Sequence, residues 1–461
     1  MNVVIIGGGI AGLTAAYRLR KQAGADGRVP DVMLVEADSR LGGKVLTEHQ
    51  DGFVLEGGPD AFIVHKPQAL ELVRELGLED RLLTSNDDCR RTFIHHRGRL
   101  QPMIEGLPML VPSRWRDLAM SPLMSWWGKL RFATESLIPA RRDGDDESVA
   151  DFVRRRLGKE VLEHVAEPTL AHLHVGDVER MSLQATYPRL AELERRWGSL
   201  RGGVRARRAA AVKPAGPLFW TLRDGLEELI ARLVDELDPQ SLILGHRAVS
   251  LRRSGPSYAV ELDDGRRLEA AAMVLATPPF AAADLVEEMD AVLAGHLREL
   301  RSVSMATLSL GYRRADVQHP LDGFGFFVPR RGLRHVLACS WTSSKFDHRA
   351  PEGTVLLRVF LGGALQKDLL DLDDETLVRG VEEDLQTIMG FRATPIVRRL
   401  TRWPDGYPQY HVGHHRRVER IEAALPPGLV LAGSGYYGVG LPDCIRSGSE
   451  AAERVLASQV G

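Results

Sequence analysis

The sequence predicts an α/β protein built round a parallel sheet, and two stretches at opposite ends of the chain carry that prediction. Asn2 to Ile6 is a β-branched run that enters Gly7-Gly8-Gly9-Ile10-Ala11-Gly12, after which Leu13, Ala16, Tyr17 and Leu19 fall at helical spacing. Leu429 to Ala432 reads as a second buried strand. It enters the turn Gly433 to Cys444, and helical spacing follows from Ile445 to Val455.

Composition sets the bounds. With 461 residues, 44% of them hydrophobic, the chain is long enough for two or three cores. Its 60 basic and 62 acidic residues leave a net charge of -2, which gives no reason to expect nucleic acid as a partner. Cys89, Cys339 and Cys444 are far apart and form no Cys-x-x-Cys pair. His172 with His174, and His411 with His414 and His415, lack a third ligand nearby, so no metal site is expected. The opening residues lack a basic leader, and glycines stand where an apolar leader segment would be; the chain reads as cytoplasmic. No run has the length of a membrane span.

The opening turn has the chemistry of a Rossmann-like dinucleotide site. Gly7 permits the tight turn, Gly9 lets a pyrophosphate approach the backbone, and Gly12 lets helix and strand pack closely. Gly8, Ile10 and Ala11 complete the turn, whose helix N-terminus presents free amides to the phosphates. The next strand, Val32 to Val35, ends in Glu36-Ala37. An acid there binds both ribose hydroxyls and disfavours a 2′-phosphate. Two further small-residue turns follow. Arg40-Leu41-Gly42-Gly43-Lys44 brings backbone and cations towards a diphosphate. Glu56-Gly57-Gly58-Pro59-Asp60-Ala61 leaves room for a flat ring.

These two turns, so soon after the ribose acid, resemble the flavin amine oxidase and porphyrinogen oxidase superfamily. Tyr436-x-Gly438-Val439-Gly440-Leu441-Pro442-Asp443-Cys444-Ile445 resembles the bacterial protoporphyrinogen and coproporphyrinogen III oxidases, and the likeness covers nearly the whole chain. The resemblance implies non-covalent FAD, with Val249 touching the adenine through its backbone. It also brings Trp403, Gly433, Val439, Gly440 and Leu441 to the flavin. It implies a discontinuous FAD-binding domain of residues 1–90, 216–280 and 420–461. A helical subdomain of residues 91–186 and an α+β substrate domain of 187–215 and 281–419 complete the chain.

The implied reaction is six-electron oxidation of a porphyrinogen to the porphyrin in haem biosynthesis, with dioxygen as acceptor and hydrogen peroxide as product. The flavin then carries the redox chemistry, and no side chain is expected as nucleophile. Coproporphyrinogen III and protoporphyrinogen IX both remain open as substrates. Related enzymes place an arginine where this chain has Thr92, so Arg90 and Arg91 are the expected anchors for substrate carboxylates. Arg90 is preferred, on the expectation that it shares a strand face with Thr92.

Three local readings complete the picture. The aromatic and basic stretch Trp115 to Pro139 reads either as a membrane-contacting surface or as a self-packed helical domain. Peripheral attachment and a homodimer are left open. Arg201, Arg205, Arg207, Arg208 and Lys213 read as a solvated surface loop, and His172 and His174 as one face of a strand. The rival functions are an amine oxidase or desaturase on the same fold, and a non-catalytic porphyrin-binding flavoprotein.

Overall fold

The computed structural model describes residues 2–22, 29–104, 110, 115–141, 144–210, 216–332 and 334–458, with the side chains of 115 and 207–210 excepted. Five parallel strands form the central sheet, in the order Leu242–Leu244, Asp31–Glu36, Asn2–Ile6, Ala272–Leu275, Leu429–Leu431. Apolar residues fill both faces of its central strands, as buried parallel strands require. On one face the helices Ile10–Lys21, Glu227–Asp235 and Leu441–Ala457 share a core with Val3, Ile5, Leu34 and Val274. On the other, Val4, Ile6, Met273 and Leu275 pack under Pro279–Val286, Ala291–Arg298 and His414–Ala424. A three-stranded antiparallel meander, Ala248–Ser254, Ser257–Leu262 and Arg267–Ala270, covers that face too. Its expected turn at Asp263-Asp264-Gly265 closes the second hairpin.

A seven-stranded sheet stands beside this unit. Its order is Val397–Gln409, Arg301–Arg313, Thr354–Gly362, Ala338–Trp341, Gly325–Phe327, Thr92–His96, Arg99–Pro102. The parallel pair is Gly325–Phe327 with Thr92–His96. A helical unit fills the remaining side, with Phe132, Phe152, Val165 and Leu170 in its core.

Packing redraws three boundaries expected from sequence. Strands Thr92–His96 and Arg99–Pro102 extend the seven-stranded sheet rather than the helical unit. Helices Pro188–Trp197 and Leu200–Ala210 give Leu190, Leu193 and Leu200 to the helical core. The basic stretch is therefore not a loop: Arg201 and Arg205 lie on a helix, because Leu200 and Val204 supply an apolar face that Gly202-Gly203 does not interrupt. Lys213 lies outside the described residues. Helices Pro279–Val286 and Ala291–Arg298 belong to the nucleotide sheet.

His172 and His174 are likewise not on a strand. They sit in a short helix that continues the widened π-helix Leu162–Ala171. Pro168 lies inside that segment. It has no N–H to give and its ring crowds the preceding turn, so the helix widens there instead of closing normally.

Candidate active site

Three glycine turns build the floor of the site. The Gly42 N–H donates to the Gly8 carbonyl at 2.8 Å, and Gly9 and Gly42 form a parallel bridge. A β-carbon on Gly43 would come within 3.1 Å of the Gly9 Cα, and one on Gly58 within 1.7 Å of the Lys44 carbonyl oxygen. The turns therefore stack in sequence, Gly9 to Gly43 and Lys44 to Gly58, with backbone against backbone. Gly12 is as tightly placed: its β-carbon would lie 1.9 Å from the Gly7 oxygen.

Above the floor there is space. Nothing lies within 4 Å of where a Gly9 β-carbon would stand, and the same holds at Gly433. Gly9 caps the helix Ile10–Lys21 with no side-chain hydrogen bond, so the first-turn amides of Ile10, Ala11 and Gly12 remain open to an anion. Glu36 stands at the side. Its carboxylate accepts from the Gly8 N–H at 2.5 Å and from the Asp38 N–H at 2.9 Å, beside exposed Ala37. Val249 falls in the bulge where the strand register shifts between Ala248 and Ser250, so the ladder skips its backbone. Arg40 clamps its own turn, donating to the carbonyls of Leu41, Gly43 and Val45.

The turn Glu56 to Ala61 is held from below. The Gly57 carbonyl accepts from Thr307 Oγ1 and from Trp403 Nε1, both at 2.9 Å, and Arg358 donates to the Gly58 carbonyl. Burial alone would raise the Asp60 carboxyl, but Lys345 at 3.2 Å and Arg358 outweigh it and hold it below the usual range. Glu56, deeper still, is pushed up to about 7 by burial, against hydrogen bonds from the Leu226 N–H and Thr47. Pro59 and Ala61 line the same half-buried turn.

The far end is the N-terminus of the helix Leu441–Ala457. Asp443 accepts from the Gly440 N–H at 3.2 Å, and the Lys66 ammonium grips both its oxygens at 2.6 and 2.8 Å. Tyr410 fixes the preceding loop: its hydroxyl donates to the Ser434 carbonyl and accepts from the Gly438 N–H at 2.7 Å, beside half-buried Val439. Both ends of the chain thus meet here. Gly448 lies so close to the first helix that a β-carbon would sit 2.2 Å from the Ala11 oxygen.

A wall of side chains completes the site. Burial lowers Lys44, on the floor, and presses His174, on the wall, down to about 4, with Lys66 adding to the effect on His174; yet both residues remain half-accessible. Tyr407 is also half-buried, and its hydroxyl donates to the Leu173 carbonyl at 2.8 Å.

The expected substrate anchors are placed differently. Arg90 precedes the strand, in a helical backbone conformation that ends the short turn Asp87–Cys89, so it does not share a strand face with Thr92. Its guanidinium donates to Asp87 and to the Gly216 carbonyl. Arg91 pairs with Asp322 at 2.6 Å. The two aspartates pull both arginines onto local turns. Sequence reasoning missed Lys66, Thr307, Lys345 and Arg358. A signal existed for Arg358: it is the one charge in the apolar strand Thr354–Gly362, and a charge buried there needs a partner.

The open space over uncapped amides, the ribose-side carboxylate and the turn too tight for any side chain together fit an extended dinucleotide with a flat ring. Comparison with known proteins agrees. Residues 10–456 match the flavin containing amine oxidoreductase family. The chain is 36% identical to the coproporphyrinogen III oxidase of Bacillus subtilis, over 99% of this chain and 98% of that one. It is 30% identical to protoporphyrinogen oxidase 1, chloroplastic, of Arabidopsis thaliana, over 98% and 88%. A crystal structure from Exiguobacterium sp. 255-15, assigned as a protoporphyrinogen oxidase, superposes with a TM-score of 0.88 at 32% identity, covering 99% of each chain. From glycine floor to closing helix, this chain belongs to the flavin containing amine oxidoreductases, and FAD is its cofactor.

Proposed function

We propose that the protein oxidises coproporphyrinogen III to the porphyrin in haem biosynthesis, with dioxygen as acceptor. One observation carries the reading. The likeness to porphyrinogen oxidases spans 99% of the chain, including the helical wall and the seven-stranded sheet, and not the nucleotide turns alone. Gly9 and Gly43 would hold the diphosphate of FAD, Glu36 and Val249 its adenosine, and Gly58 to Ala61 with Gly440 its ring. When bound, FAD would supply the hydride acceptor and the route of electrons to dioxygen. The chain supplies position: Trp403, Thr307 and Arg358 fix the turn under the ring, and the helix N-terminus at Gly440 offers a positive dipole end to its charge.

The test is anaerobic mixing of the purified yellow protein with coproporphyrinogen III, protoporphyrinogen IX and a primary amine. Bleaching by the first, with fluorescent porphyrin appearing on admission of air, is the expected result. Bleaching by protoporphyrinogen alone reassigns the substrate, and bleaching by the amine alone replaces the reading with amine oxidation. No bleaching by any of them leaves a binding protein.

A second proposal concerns location. Among the described residues no helix is long and apolar enough to cross a membrane. The helix Trp126–Ala133 nevertheless turns Trp126, Trp127 and Leu130 to solvent, with Trp126 and Trp127 74% and 79% exposed. Met120 and Leu137 are exposed nearby, and Lys129 lies 4.6 Å from the Trp126 ring. Aromatic rings beside cations suit a lipid headgroup region, and this face rests peripherally on the cytoplasmic side of a membrane. Co-sedimentation with anionic vesicles should fall when Trp126 and Trp127 are both replaced by Ala. Vesicle-independent dimerisation through the same face would instead make a second copy its partner.

A further inference from the structure

We propose that His174 accepts the proton released from the porphyrinogen's pyrrole N–H, a role that rests on the porphyrinogen reading above. His174 lies beside the end of the strand Val397–Gln409, where Gln409 and Tyr407 bond the carbonyls of His174 and Leu173, and the next residue, Tyr410, holds the loop that enters the closing helix. Its ring packs edge-on against Tyr187 at 5.3 Å and 82°, and its carbonyl accepts from Gln409 Nε2 at 3.1 Å. The imidazole is therefore fixed in place. Among the described residues neither of its ring nitrogens has a hydrogen-bond partner.

The neighbouring groups are committed elsewhere. Asp443 is taken by Lys66 and the Gly440 N–H. Tyr187, Tyr407 and Tyr410 donate their hydroxyls to the carbonyls of Leu170, Leu173 and Ser434. The nitrogens of His172 are wholly enclosed, with the ring 5.6 Å from Phe327. Burial and the Lys66 charge keep His174 neutral at physiological pH, the form that takes a proton.

The chemistry needs such a group. In each two-electron step a meso C–H bond breaks and its electron pair leaves with the hydrogen as hydride, to the flavin. In the same step one pyrrole N–H bond breaks, its electrons stay on the macrocycle as a new π bond, and its proton goes to an imidazole nitrogen of His174. The departing hydride makes that N–H acidic as its own bond loosens, so a weak base suffices. After the third step one meso C–H proton moves to a pyrrole nitrogen, which leaves the porphyrin with its two N–H groups. The proton leaves His174 when dioxygen takes two electrons and two protons to become hydrogen peroxide.

The experiment compares wild type, His174→Ala and His174→Gln by anaerobic stopped-flow, following flavin bleaching by coproporphyrinogen III. FAD content and quenching of flavin fluorescence by the coproporphyrin product are measured alongside. Both variants should bleach at least ~100-fold more slowly, the range of a lost general base, with FAD content and product binding unchanged. Added imidazole should restore part of the rate in the Ala variant. Bleaching at the wild-type rate overturns the proposal. So does slow bleaching that imidazole leaves untouched while product binding weakens, since that is a packing role. A wild type that no porphyrinogen bleaches removes the functional reading itself, and the proposal with it.

Discussion

The floor and the wall of the site are built by opposite means. On the floor, side chains are forbidden: Gly12 and Gly58 bring peptide units so close that a single β-carbon would overlap a carbonyl oxygen. On the wall, side chains do all the shaping, from a helix widened round Pro168 and carrying His172 and His174. A floor of backbone tolerates almost no change at a few positions and much elsewhere. A wall of side chains is graded, and each residue can be changed at a modest cost in stability.

The sharpest way to break this comparison is at the floor. Gly58→Val should abolish FAD retention, because the overlap is with backbone that cannot rotate away. Flavin absorbance co-eluting with protein on gel filtration measures it, and a yellow variant would show that the turns do not touch as described. Arg358→Met comes next. It removes the buried cation that holds the Gly58 carbonyl and faces Asp60. Breaking a buried charge network typically costs about 3–5 kcal/mol, read as a lower urea midpoint. A companion Arg358→Lys variant, which keeps a cation beside Asp60 and the Gly58 carbonyl, should recover part of the loss.

At the wall the expected effects shrink and depend on pH. Burial pushes Glu167, in the widened helix, up to about 7, with Arg330 opposing. Its folded value lies above its ordinary one of 4.5. Its favourable contribution is therefore fully present below that value and lost as pH rises through about 7. Glu167→Gln, which cannot ionise, should gain thermal stability on wild type between pH 5 and pH 8, by less than roughly 4 °C. A gap that is constant or narrows with pH would place Glu167 in solvent. Smallest of all is Arg90→Ala. With its guanidinium already committed to Asp87, the apparent substrate constant should change by less than about threefold. A tenfold rise would return Arg90 to the role of carboxylate anchor.

The same contrast explains what the sequence disclosed. The floor was legible because close approach of peptide units can be met only by glycine, so Gly7, Gly12, Gly43 and Gly58 announce it, while Gly9 announces the open space above. The strands between Leu242 and Leu275 were legible for a similar reason, since alternation and the Asp263-Asp264-Gly265 turn leave few alternatives. The wall was not. His172 and His174 have the spacing of a strand face, and only the continuation of a preceding helix, invisible in a three-residue pattern, puts them on a helix. Arg90 was misplaced because Asp87, three residues back, captures it and bends the chain before the strand begins. Gly202-Gly203 suggested a loop, yet the apolar face of Leu200 and Val204 dominated.

The packing of the closing helix on the opening one has a consequence in time. Gly448 rests on the Ala11 carbonyl, and the strand Leu429–Leu431 completes the parallel sheet from its edge. A ribosome that has made the first four hundred residues has made the glycine fingerprint, the ribose carboxylate and the ring turn. The element that closes the cofactor's far end has still to leave the exit tunnel. Cofactor capture is then among the last events of synthesis, and a yellow colour marks a chain that has been translated through to its final helix.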